Sequence, residues 1–231
     1  LFYFVVVYSA FGNFYMLNVP LLQHFQHQLA HFVFLCQAHN GTPMIFMIGC
    51  GHVERGEWVF RQFTANLLTL GEERRILEEW FSHMAIVKDA VDPEGPLPLI
   101  FHWSPAERLS LAAEYNSVAY RHPDIDWPEL AWFDFYTEVM TAEPVVVKGA
   151  MDFGLKSIAR AFQSHGFIGT LWKEGPADGL GAMVGAFWCH QEASQGSVSM
   201  HDSLLMHQIG DYNEVDCIVM MEAINYLRRE H

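Results

Sequence analysis

Residues 1–53 contain no Asp, Glu, Lys or Arg, and all 40 such residues of this 231-residue chain (13 basic, 27 acidic) lie from Glu54 onward. A segment of that length without charge makes a poor solvent-facing surface. That leaves burial in a sheet, membrane insertion or a secretory leader as its role. Leu1–Leu22 has about the length of a bilayer span. However, Gly12, Asn13, Asn18 and Pro20 interrupt it, no basic residue flanks it, and no basic start marks a signal peptide. Buried strands are therefore the expected role, and a membrane location is disfavoured. The lack of an initiating Met adds the expectation that the sequence is a piece of a longer protein.

Hydrophobic residues make up 51% and aromatics 14%, enough apolar material for one well-packed α/β domain spanning residues 1–231. The formal net charge of −14 argues against a general polyanion-binding surface, because sequence-independent nucleic-acid affinity comes from Lys and Arg neutralising phosphates. It leaves room for an enzyme that holds phosphate through metal ions. Cys36, Cys50, Cys189 and Cys217 show no CxxC spacing, which excludes a zinc ribbon or redox pair as the leading reading. Reduced, buried thiols in an intracellular protein (cytoplasmic, nucleoid or nuclear) are expected instead.

Along the chain, Phe2–Tyr8 reads as a buried strand, and the turn signal Gly12-Asn13 predicts that Phe14–Leu17 pairs back on it. Apolar residues at 21, 22, 25, 29 and 32 follow a helical period after Pro20. Met44–Ile48 and Glu57–Phe63 read as strands around a glycine-rich turn at Gly49–Gly56. Leu70–Met84 is the clearest helix, with Glu72 and Glu73 in its first turn and Arg74/Glu78 and Arg75/Glu79 at i,i+4 spacing. Leu99–Trp103 is a predicted strand running into Ser104-Pro105-Ala106-Glu107, a helix-start signature. Trp132–Val139 and Val145–Val147 flank a turn region. Helices are then predicted over Leu155–Phe162, from an Asp178 cap through Cys189, and over roughly Asp211–Arg229. The order of elements predicts a mixed sheet in an α/β fold.

Chemistry concentrates in the last helix. Tyr212 and Asp216 stand at i and i+4 and share one helical face, so a hydroxyl and a carboxylate can point into one cleft. Metal-dependent phosphodiester hydrolysis uses such a pair, the carboxylate to hold a divalent ion and the hydroxyl to orient water. Five segments follow in order: FHWSPAE (101–107), AWFDFY (131–136), FGLKSIARAF (153–162), DGLGAM (178–183) and YNEVDCIVMMEAINYLR (212–228). Over roughly residues 44–231 this series resembles predicted ribonuclease-H-like 3′–5′ exonucleases of the DEDD superfamily, of the RecB-like or helicase-associated type. The last segment carries most of the likeness, because it looks like their Tyr-x-x-x-Asp third motif.

The resemblance implies a ribonuclease-H-like five-stranded mixed sheet with helices on both faces, and a two-metal Mg²⁺ or Mn²⁺ site acting on DNA or RNA. It implies Asp216 and Glu107 as metal ligands, Tyr212 as the residue that orients water, and Lys156 as a nucleic-acid contact. Glu107 is equally explained as the N3 partner of a Ser104 cap, and Asp134 as either a turn cap or a ligand. The family carries Asp-x-Glu in its first strand, whereas FYFVVVYSA here supplies no acid. Three accounts stand open: a degenerate nuclease, a substitute ligand from elsewhere, or an N-terminal stretch that departs from the native sequence. The competing function is a catalytically inactive domain that binds nucleic acid, or that binds other domains or subunits through its uncharged N-terminal quarter. His24, His27 and His31 share a predicted helical face without a zinc motif around them, and His102 reads as a core histidine.

Overall fold

The computed structural model describes residues 6–8, 14–16, 28–37, 43–103, 118–142, 145–172, 179–196 and 198–230, with side chains from residue 44 onward except at 179, 180 and 183. It is a mixed α/β structure. The first predicted hairpin is present: β1 (Val6–Tyr8) pairs antiparallel with β2 (Phe14–Met16), Val7 opposite Tyr15. This two-stranded ribbon is separate from the main sheet, whose strand order is β5-β4-β3-β6-β7.

The first strand of that main sheet is β3 (Gln28–Gln37). Part of the predicted helix around Leu21–His31 is therefore strand. The run Phe32-Val33-Phe34-Leu35 is apolar at every position, and such short continuous runs carry no period that separates helix from buried strand. His31 lies in β3, so the three-histidine helical face does not form there; His24 and His27 lie outside the described residues. β3 is the middle strand, antiparallel to β4 (Pro43–Glu54) and parallel to β6 (Leu99–His102), which is parallel in turn to β7 (Trp132–Asp134). β4 also pairs antiparallel with β5 (Glu57–Thr64).

The expected glycine-rich turn at 49–56 contracts to two residues. Gly49 and Gly51 are inside β4, and the chain reverses at Arg55 and Gly56, both at positive φ (53° and 86°). Two successive positive-φ residues give the turn whose twist matches paired strands, and Gly adopts that conformation without a Cβ clash.

α1 (Leu70–Val91) begins at Thr69, whose side chain accepts from the Glu72 N–H, and both predicted i,i+4 pairs form, Arg74–Glu78 at 2.8 Å and Arg75–Glu79 at 2.9 Å. Its stripe of Ile76, Leu77, Trp80 and Met84 is buried. Within the segment Trp132–Val139, expected to flank a turn region, β7 ends at Asp134 and a π-helical turn, Tyr136–Thr141, follows. Three further helices follow: α2 (Leu155–Ser164), α3 (Gly179–Ser194) and α4 (Leu204–Glu230).

Side-chain alternation along β4 assigns the two faces of the sheet. A Cβ on Gly49 would strike the Asn213 amide, and one on Gly51 would strike the Trp58 indole with Cys217 Cβ 3.3 Å away, so α4 lies close over these glycines. Ile48, Cys50 and His52 alternate with them and face the other way, where Cys50 and His52 meet His83 of α1. Phe101 and Phe133 continue the α4 face and pack with Ile158, Phe162, Met220 and Ile224. Among the described residues no helix is long and apolar enough to cross a membrane.

Candidate functional site

α4 approaches β4 closely because the strand contributes glycines there, leaving their space to the side chains of Asn213 and Trp58. Gly210 repeats on the helix what Gly49 and Gly51 do on the strand, since a Cβ there would strike the amide of Gln62. The close approach fixes the rotation of α4. Asn213 and Cys217 turn down onto the glycines, and Tyr212 and Asp216, one position earlier on successive turns, turn aside toward α2 and residue 172.

Asp216 is buried, and its Oδ1 accepts a hydrogen bond from the Trp172 indole Nε1 at 2.8 Å. Burial pushes its carboxyl up to about 7, against the downward pull of the Trp172 N–H and the Lys156 charge. Lys156, exposed in the first turn of α2, places its ammonium 5.0 Å from the centre of the Tyr212 ring. The Trp172 and Tyr212 rings stand 6.5 Å apart. Three residues from the sequence reading, Tyr212, Asp216 and Lys156, are thus brought together with Trp172, which that reading missed. Its only sequence signal was an indole placed after a short apolar run, Phe167 to Leu171, and an indole there reads as core.

Glu107 lies outside the described residues, as do Ser104 and Asp178. Asp134 is a cap: its Oδ1 accepts from the Tyr136 and Thr137 N–H groups, and its Oδ2 from Thr137 Oγ1 at 2.6 Å. Both oxygens are engaged in starting the π-helical turn, which is the cap side of the two expected roles. His102 is buried, as expected, with Nδ1 4.0 Å from Asp134 Oδ1.

The central strand decides how much positive charge this face can hold. Gly51, beneath Cys217, is in register with Ala30 of β3, and Ala30 is in register with Phe101 of β6. The strand beside the Asp216 turn is therefore β3, and QLAHFVFLCQ contains no acid. Of the residues expected to form the acid-bearing first strand, 1–9, the described ones form β1 of the separate ribbon. Among the described residues, the groups of three or more His, Cys, Asp or Glu close enough to hold an ion do not include Asp216. No protein-family model matches this chain, and no curated protein does.

Proposed function

We propose that this is a ribonuclease-H-like domain of the 3′–5′ exonuclease type, acting on DNA or RNA phosphodiesters at the Tyr212–Asp216 face of α4. The observation that carries the reading is a buried carboxylate, oriented by an indole N–H, beside a tyrosine that is itself covered by a lysine. A five-stranded mixed sheet packed against a long C-terminal helix supports the same reading.

The donor set suits one Mg²⁺ or Mn²⁺ ion, not the two that the resemblance implies. Asp216 keeps Oδ2 for an ion while Trp172 holds Oδ1, and Glu107, five residues past the end of β6, is the second acid. Two adjacent dications need more carboxylate than that, and β3 supplies none. When bound, the ion would polarise the phosphate and acidify a water.

The chain's own groups do the rest. Trp172 fixes the rotamer of Asp216, Lys156 offsets phosphate charge, and the Tyr212 hydroxyl orients the attacking water. Asp216 must first lose the proton that burial favours at neutral pH.

The acid-free central strand favours a second reading, an inactive domain that binds nucleic acid or other subunits. Incubating the protein with 5′-labelled single-stranded DNA and RNA in Mn²⁺, beside Asp216→Ala, separates the two. Cleavage by wild type that is lost in the variant supports the nuclease. Binding by fluorescence anisotropy without cleavage, equal in both proteins, supports the inactive domain.

A further inference from the structure

On the opposite face of the sheet lies a second cluster, unrelated to the Asp216 site. Cys50 and His52 stand at i and i+2 on β4, so both project toward α1, where His83 meets them. One ligand atom from each, the Cys50 sulfur and one nitrogen from each imidazole, lies within 4.8 Å of the others. The His52 and His83 rings are 5.4 Å apart.

These are not ordinary packed histidines. His52 is only 6% exposed, and among the described residues its Nδ1 has no hydrogen-bond partner; the buried Nε2 of His83 has none there either. A buried ring nitrogen left unpaired is costly, so two on neighbouring rings call for a reason. Mutual hydrogen bonding does not supply it. Burial lowers both imidazoles, His83 to about 4, and the Arg61 charge acts in the same direction on each. Both rings are accordingly neutral at physiological pH, with lone pairs available. Phe63 closes one side, its ring 5.8 Å from that of His83. His83 is only half-buried and leaves a route in from solvent.

We propose that Cys50, His52 and His83 form a binding site for a borderline-soft divalent ion of the Zn²⁺ type, pinning α1 to the end of β4. Thiolate and imidazole donors select such ions over Mg²⁺ or Mn²⁺, and three protein ligands leave the fourth tetrahedral position to water. Binding forms one metal–sulfur and two metal–nitrogen bonds. The Cys50 thiol proton leaves to solvent, and thiolate plus dication give the centre one net positive charge. Burial pushes the Cys50 thiol up, so the ion has to displace that proton as it binds.

The test is Co²⁺ titration of the chelator-treated full chain, followed by optical absorption. One equivalent should produce a near-ultraviolet thiolate-to-cobalt charge-transfer band together with the intense visible bands of a tetrahedral ion. Cys50→Ser should abolish the charge-transfer band. His83→Phe, which preserves an aromatic ring against Phe63, should weaken Zn²⁺ binding by about 100-fold or more, since even outer-shell changes cost 10–100-fold. Zn²⁺ should raise the melting temperature of wild type and not of His83→Phe. Asp216→Ala should leave every one of these signals intact, so the outcome is independent of the nuclease reading. No charge-transfer band in folded wild type, or one that survives Cys50→Ser, would overturn the proposal.

Discussion

The two ends of α1 treat buried polar groups in opposite ways. Near its start, Glu73 is fully buried and fully engaged: Arg121 donates to it through Nε at 2.8 Å and Nη2 at 2.7 Å, the Ile45 N–H donates at 2.8 Å, and His122 Nε2 lies at 3.0 Å. Ten residues later His83 lies beside His52, and His83 Nε2 and His52 Nδ1 have no hydrogen-bond partner among the described residues. The same helix carries both against the same sheet, Glu73 buried and His83 half-buried. A charge network with all its partners in place is architecture, tying β4, α1 and the 118–122 segment together. Two imidazoles beside a thiol, each with a ring nitrogen that lacks a hydrogen-bond partner among the described residues, are instead the donor set of the ion site proposed above.

Breaking the satisfied end should produce the largest effect. Glu73→Ala strands the Arg121 guanidinium, which is 8% exposed, in a buried place without its anion. A loss of about 3–5 kcal/mol is expected by urea denaturation.

Next comes the carboxylate on the α4 face. The folded pKa of Asp216, about 7, stands above the ordinary 3.8. Its contribution to stability is therefore fully present below pH ~4 and lost as pH rises toward and through 7. Asp216→Asn keeps an oxygen for Trp172 and carries no charge. In metal-free buffer it should match wild type near pH 4 and exceed it by up to about 4 kcal/mol at pH 8, measured by denaturant midpoints.

Gly49→Ala sharpens the difference between the sheet's faces. Its Cβ would drive into Asn213, costing about 1–3 kcal/mol and displacing the helix that carries Tyr212 and Asp216. Activity should fall more than stability, because a shift of about 1 Å at a reacting centre can cost 100-fold. The smallest effect belongs to His83→Phe without metal, which removes one unpaired nitrogen. A change within about 1 kcal/mol, neutral or stabilising, is expected in thermal melts.

Much of the frame was legible in the sequence because it is local. The period of Ile76, Leu77 and Trp80 and the paired charges predicted α1, which extends seven residues past the expected Met84. The Tyr212–Asp216 spacing placed both groups on one face of α4. β3 was not legible, since an apolar run of that kind suits a central strand and a buried helix equally. The roles of Gly49, Gly51 and Trp172 were hidden for another reason: each depends on what α4 brings to it across more than forty residues of chain. Cys50-Gly51-His52 did carry a signal, two soft donors at strand spacing. Its meaning depended on His83 arriving from α1.

The central claim is that the two faces of one sheet hold different chemistry, with a carboxylate that binds a hard ion on the α4 side. Mn²⁺ titration followed by electron paramagnetic resonance, over pH 5–9, tests it most directly. The account predicts one bound Mn²⁺ at pH 8, an affinity that falls roughly tenfold per pH unit below 7 as the Asp216 proton competes, loss of binding in Asp216→Ala and no change in Cys50→Ala. Binding that is independent of pH, or that survives Asp216→Ala, would contradict it.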